Sequence, residues 1–253
     1  MFKNAIVKRP CKNMVKGITE ANLGTPDYSL ACNQHGAYIN ALKSCGVSVT
    51  ILEADESCPD SVFIEDTCLV TPHCAVITRP GAESRKGETP AVKTAMTAFD
   101  LPIETIKAPG SLDAGDVMMV GSHFFVGLSD RTNKEGFEQL ETILNKYGMT
   151  ASAVTLTSVL HLKTGISYLE NNILLAWGEF LTKPELETFT IIEVPDQEAY
   201  AANSLWVNDK VIVPSGFNQT RDLIKEKGYE TIEVDVSEFR KLDGGLSCLS
   251  LRF

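Results

Sequence analysis

The chain has 253 residues, 43% of them apolar and 22% charged, with a formal net charge of −10. That excess of acid argues against nucleic acid and anionic membrane as partners, because both attract basic surfaces. No window of about 18 apolar residues exists for a membrane span, and residues 1–7 lack an apolar core of signal-peptide length, so the expected compartment is the cytoplasm. Seven cysteines at irregular spacing (Cys11, Cys32, Cys45, Cys58, Cys68, Cys74, Cys248) fit reduced thiols in a reducing compartment. Cys68, His73 and Cys74 lie close in sequence, but without a CxxC or HxxxH partner no metal is expected there.

In chain order, residues 2–8 read as a strand stopped by Pro10. Residues 12–27 are rich in Gly, Asn and Thr without a clear period, a loop long enough to serve as a lid. Apolar positions at helical spacing predict a helix over 28–45, ended by Gly46, and 47–52 reads as the next strand. A hairpin over 62–78, a helix over 90–99 and a strand over 102–106 follow. The same series recurs: a hairpin over 116–127 with the turn Gly121-Ser122, a helix over 133–147 and a strand over 151–156.

A third series runs through Asn171-Asn172, a short helix from Pro184 and a strand over 189–194. A fourth runs through Asn208-Asp209, a helix over 218–227 and a strand over 231–234. The two chain ends supply a fifth unit, cut open by the termini. Several strands in each period of roughly 40 to 50 residues imply radial repetition. The expected architecture is a single α/β domain over 1–253, a five-bladed pseudo-symmetric propeller of ββαβ units. A doubly wound sheet is the runner-up.

Four places in this series carry reactive side chains. In Asp243-Gly244-Gly245-Leu246-Ser247-Cys248, two glycines allow a tight turn that delivers Cys248 at the start of a strand. A thiol there is a candidate nucleophile if a neighbour favours the thiolate. His161 stands before a Thr-Gly turn in His161-Leu162-Lys163-Thr164-Gly165, although a lone histidine in an apolar strand is more often a core residue. Asp113, in Asp113-Ala114-Gly115-Asp116, opens a hairpin, where an aspartate beside glycine also serves plain turn chemistry.

Asp60-Ser61-Val62-Phe63-Ile64-Glu65-Asp66 brings three carboxylates around an apolar run. If that run is a regular strand, Asp60 and Asp66 share a face. Burying them needs a cation, and a planar guanidinium would answer with bidentate hydrogen bonds; Mg²⁺ is the rival ligand. Arg85 and Arg131 leave the first and second hairpins at equivalent places, and an arginine pair in a cleft binds a carboxylate by forked bonds.

These motifs, with Pro59 before Asp60, Arg79-Pro80-Gly81-Ala82-Glu83-Ser84-Arg85 and Val117 after Asp116, resemble those of the dimethylarginine dimethylaminohydrolases. Those enzymes belong with arginine deiminase and the amidinotransferases. The resemblance spans nearly the whole chain in family order and implies the same five-bladed propeller. It further implies that Cys248 attacks the guanidinium carbon of a methylated arginine to form an S-alkylthiouronium. His161 then protonates the departing amine and activates the water that releases citrulline.

By the same resemblance Asp66 and Asp113 grip guanidinium nitrogens, Asp113 also placing His161, with Glu65 in the same acidic wall. Arg85 and Arg131 hold the substrate carboxylate. Asp60 and the backbone carbonyls of Ile18 and Leu242 receive the α-amino group. No metal or cofactor is called for, the partner is a small molecule, and a homodimer is left open. The chain departs from the pattern in having Asp113 where bacterial members often have Glu, and Ile18 where Leu is usual. The nearest alternative is an arginine deiminase releasing ammonia, although such enzymes are longer and carry a helical insert. A binding protein for cationic amino acids is the rival from another class.

Overall fold

The structure, a computed structural model, describes all residues 1–253. It contains five sheets of three strands each, the five blades of the α/β propeller expected from the repeats. No sheet is larger, which excludes the doubly wound alternative. Every blade has the same pairing. A central strand runs antiparallel to one neighbour, its hairpin partner in four blades and the strand from the opposite chain end in the fifth, and parallel to the other. Parallel neighbours need a crossover. An α-helix supplies it in four blades: Tyr28–Ser44, Thr89–Met96, Lys134–Lys146 and Asn218–Glu226.

The remaining blade departs from the sequence reading, because the segment from Pro184 makes only a three-residue 3-10 turn, Pro184–Leu186. Gly178 at φ 62° and Pro184 divide this crossover into pieces too short to sustain an α-helix. Elsewhere local chemistry sets the boundaries. Asn133 caps its helix by accepting from Gly136 N at 2.8 Å, and Asp27 caps the first helix by accepting from Leu30 N at 2.9 Å; each such cap stabilises by about 1 kcal/mol. Asn208 and Asp209 both have positive φ, the conformation a tight two-residue hairpin turn requires.

The chain divides into two compact units, one of residues 1–63 and 165–253 and the other of 64–164. The first holds three blades. One of them takes its strands from both chain ends, with Asn4–Lys8 between Leu251–Arg252 and Ser48–Leu52. Its core gathers Val7, Tyr38, Leu42, Phe63, Phe239 and Leu246, and a second cluster centres on Leu175, Val211, Val213 and Ile224. The unit of 64–164 holds two blades around Val76, Leu112, Phe124, Val126 and Leu140.

Three local readings change. Residues 60–67 do not form a strand: turns lead into the 3-10 helix Ile64–Thr67, and the paired strand begins only at Cys68. Face-sharing by alternation therefore does not apply to Asp60 and Asp66. His161 is likewise not on a strand but stands just before the short helix Leu162–Gly165. Cys248 lies within the 3-10 turn Ser247–Leu249, ahead of the closing strand rather than at its first residue.

Candidate active site

Within the unit of residues 64–164, the turns that open the two hairpins and the segment after the second blade bring Asp66, Asp113 and His161 together. One ligand-type atom from each lies within 4.8 Å of the others. The imidazole Nε2 of His161 is 3.1 Å from Asp113 Oδ2. The other oxygen of Asp113 accepts from Gly81 N at 2.8 Å, so the carboxylate is held from both sides. Asp66 Oδ1 accepts from Gly115 N at 3.0 Å, and Asp66 Oδ2 accepts from Arg85 Nη1 at 2.5 Å. With these atoms engaged by a guanidinium, two amides and each other, the trio is built as a charge network rather than an ion cage.

Gly115 makes the closeness of this trio feasible. A Cβ there would stand 2.7 Å from Asp66 Oδ1 and 3.3 Å from His161 Cγ. A side chain would therefore force the two groups apart. Gly81, nearby, is constrained in the same way: a Cβ on it would meet the Arg131 backbone at 2.5 Å.

Around the trio the charge is unbalanced. Glu65, Asp66, Glu88, Asp113 and Asp116 are all buried. Arg85 answers two of them, bonding Glu88 through Nε and Nη2 as well as Asp66, and Lys163 Nζ bonds Glu65 at 2.6 Å. Even with His161 protonated, carboxylates outnumber cations.

Burial alone would depress the His161 pKa, but it is outweighed by the charge of Asp66, the hydrogen bond to Asp113 and the charge of Asp116. The group is held at about 9. At neutral pH it is an imidazolium, the form a general acid needs. Burial pushes Asp66 upward, yet His161 and Arg85 win and keep it below the usual carboxylate range. Asp116 goes the other way: burial raises it to about 6 against the opposing pull of His161, Thr132 and Ser129. Arg131, at the open end of the same hairpin, is half-buried, whereas Arg85 is buried inside its ion pairs.

The unit of 1–63 and 165–253 holds a second group of the residues singled out by sequence. Asp60 is buried, and its Oδ1 accepts from Ile18 N at 2.9 Å. A Cβ on Gly17 would lie 2.7 Å from that oxygen and 3.4 Å from Leu242 Cδ1. Ile18, Asp60 and Leu242 thus share one neighbourhood. The 12–27 loop opens with the 3-10 turn Lys12–Lys16 and is fastened further on: Thr19 Oγ1 donates to Lys241 O at 2.8 Å, and Glu20 N donates to Asp243 Oδ2 at 2.7 Å.

Cys248, part-exposed among seven free cysteines, accepts from Gly245 N at 3.4 Å. Its turn is braced by Asn203, which donates to Ser247 Oγ and accepts from Ser247 N, both at 2.9 Å. Tyr200 Oη adds a bond to Gly244 O at 2.7 Å. Gly244 itself lies against Phe63, where a Cβ would come within 2.1 Å of the ring, so this glycine answers to packing.

Sequence reasoning missed several of these partners. Lys163 and Asp116 were inside motifs it singled out, but nothing in their spacing announced Glu65 or Leu162 as contacts. Glu88 was legible in principle, three residues after Arg85 on a helical turn. Thr132 and Gly81 act through a hydroxyl and a backbone amide, which leave no signature in composition.

Five three-stranded blades with helical crossovers define an α/β propeller. A family profile described as N,N dimethylarginine dimethylhydrolase, eukaryotic, matches residues 25–250. The chain is 55% identical to the N(G),N(G)-dimethylarginine dimethylaminohydrolase of Pseudomonas aeruginosa, with all of both chains covered. It is 34% identical to the protein of that name from Streptomyces coelicolor, covering 99% of this chain and 96% of the other. A solved structure of the Pseudomonas aeruginosa protein, a cysteine-to-serine mutant complexed with citrulline, aligns with a TM-score of 0.98 at 54% identity over 100% of each chain. The N-terminal domain of ArgZ shares the fold, with a TM-score of 0.87 at 21% identity. The chain belongs to the dimethylarginine dimethylaminohydrolase family.

Proposed function

We propose that this chain is a single catalytic domain that hydrolyses Nω-methylated arginines, asymmetric dimethylarginine and monomethylarginine, to citrulline and dimethylamine or methylamine. The observation that carries the reading is the surplus of buried carboxylates around the His161 imidazolium. It creates a demand for one more planar cation beside a ready proton donor. In this reading the Cys248 thiolate attacks the guanidinium carbon, and His161 gives its proton to the methylated nitrogen. That C–N bond then breaks and the amine departs, leaving an S-alkylthiouronium on Cys248.

His161, now neutral, takes a proton from water. The resulting hydroxide adds to the same carbon, the C–S bond breaks, and citrulline leaves with the thiolate restored. The imidazole must act as base in this second half. The positive charge that the thiouronium retains favours that change, since a cation beside the acids offsets what holds the His161 proton.

Asp66 and Asp113 grip the guanidinium nitrogens, with Glu65 behind them. Arg131 and Arg85 hold the α-carboxylate, Arg85 from within its ion pairs. Asp60 and the carbonyls of Ile18 and Leu242 receive the α-amino group, under the 12–27 lid. The relative solved with citrulline after a cysteine-to-serine change supports a thiol-based route. Seven free cysteines suit a reducing compartment such as the cytoplasm; no helix is long and apolar enough to cross a membrane.

The test is incubation of the purified protein with asymmetric dimethylarginine, monomethylarginine and arginine, quantifying citrulline, dimethylamine, methylamine and ammonia. Equimolar citrulline and dimethylamine, with arginine a far poorer substrate, is the expected result. Faster release of ammonia from arginine would make the protein a deiminase, and binding without citrulline would make it a receptor. Cys248→Ser should abolish turnover and leave affinity largely intact.

A further inference from the structure

We propose that Asp116 is a positioning residue, a single buried carboxylate that ties together the segments carrying His161, Asp113 and Arg131. This rests on the reading above, in which those three residues work on one substrate. The carboxylate is fully buried and touches each segment. Oδ1 accepts from Leu162 N at 2.9 Å, fixing the residue that follows His161. Oδ2 accepts from Ser129 Oγ at 2.7 Å and from Thr132 Oγ1 at 2.6 Å.

Both hydroxyls pass the constraint on. Ser129 Oγ accepts from Arg131 N at 3.0 Å and from Thr132 N at 3.1 Å. Thr132 Oγ1 accepts from Asp113 N at 3.1 Å. Each hydroxyl thus accepts from backbone amides, two at Ser129 and one at Thr132, and gives its only proton to Asp116. Gly127 leaves room for the arrangement: a Cβ there would stand 3.1 Å from both Asp116 Oδ1 and Leu162 Cβ.

An ordinary turn aspartate would bond its own turn and face solvent. This one receives three donors from 13 to 46 residues away and has no solvent exposure. An asparagine could not satisfy all of them, because its amide nitrogen would face a donor in one direction and leave it buried without an acceptor.

The carboxylate also bears on the imidazole by charge. His161 feels the charges of Asp66, Asp116 and Asp113; Asp66 is paired with Arg85, which also bonds Glu88, and Lys163, two residues after His161, pairs with Glu65. Removing the Asp116 charge therefore favours loss of the His161 proton, an effect that a purely structural brace would not have.

The experiment compares wild type, Asp116→Asn and, as a control, Glu198→Gln. Glu198 is a buried carboxylate of the other unit that caps the helix Asn218–Glu226 through Gln219 N and Thr220 N. The His161 pKa is read by NMR titration of the imidazole carbons, assigned with His161→Gln, and kcat is followed against pH with asymmetric dimethylarginine. Asp116→Asn is expected to lower the His161 pKa by about one unit. It should also lower kcat about 10- to 100-fold and bring the high-pH fall in activity to lower pH. Glu198→Gln should lower Tm and change neither.

An unmoved His161 titration and an unmoved kcat profile in folded Asp116→Asn would overturn the proposal. If that variant does not fold, Thr132→Val removes only the hydroxyl between Asp113 and Asp116; unchanged kcat there would overturn it equally. A wild type that makes no citrulline would refute the functional reading instead, while the titration would still decide whether Asp116 governs His161.

Discussion

His161 Nε2 and Asp113 Oδ2 stand 3.1 Å apart, and the opposite oxygen of Asp113 is pinned by the amide of Gly81. The imidazole is thus oriented by a carboxylate that has itself little freedom to turn. Asp113→Asn should keep the shape and lose the charge-assisted bond. We expect kcat to fall about 100- to 10,000-fold, with the His161 pKa displaced downward because one of the interactions holding its proton has gone. A pH–rate profile measures both, and an unchanged profile would contradict the assigned role.

Gly115 offers a test that touches no functional group. Ala at 115 would place a methyl 2.7 Å from Asp66 Oδ1, closer than any relaxed contact, so Asp66 and His161 must separate. Turnover should drop at least about tenfold while circular dichroism stays that of a folded protein. Full activity in Gly115→Ala would mean that the spacing of these two residues is immaterial.

The pH dependence of stability should show two histidines with opposite signs. The folded pKa of His161, about 9, is above its unfolded value. Its contribution is fully present below about pH 6.5 and is lost as pH rises through 9. His35 is buried with its Nε2 unpartnered. Burial, aided by Arg9, lowers its pKa to about 4. The fold therefore keeps it neutral, and stability is lost as pH falls from about 6.5 toward 4, by about 1.4 kcal/mol per pH unit at most. Urea unfolding of His35→Leu across that range should show a flatter acid limb than wild type; an identical limb would remove His35 from the account.

Asp243 has φ 57°, a left-handed conformation that aspartate tolerates better than most residues, and its carboxylate accepts from Glu20 N. Asp243→Ala should loosen the 12–27 loop and raise KM by about 2- to 10-fold, the worth of one hydrogen bond. Asp243→Asn, which retains an acceptor and the backbone preference, should restore most of it. Equal KM values in all three proteins would show that this tie does not matter to substrate capture.

Much of this fold was legible because its repeats use loud local signals. Asn208-Asp209 and Gly121-Ser122 mark hairpins, Asn133 marks a helix start, and the apolar spacing of 28–45 marks a buried face. The segments that failed were those where tertiary demands override alternation. Residues 60–67 look like a strand because Val62, Phe63 and Ile64 are apolar, yet they turn so that Phe63 joins one core and Glu65 and Asp66 are buried with Lys163 and Arg85. The crossover through Pro184 had helical composition without the uninterrupted length a helix needs.

Residue types and motif order singled out Cys248, His161 and the acids as candidates. The ties that position them were silent: Gly81 through its amide, Thr132 and Ser129 through hydroxyls, and Asp116 through a backbone contact 46 residues away.

The blade that pairs Ala5 with Arg252 also has an implication for how the protein regains activity after denaturation. Zipping that register means closing a loop of nearly the entire polypeptide, the slowest kind of association available to it. Hairpins such as 117–128 need close only a few residues. Fluorescence and far-UV signals from those local pieces should recover early. Thiol reactivity characteristic of the native Cys248 should return in a later phase, making catalytic competence the last property the refolding chain acquires.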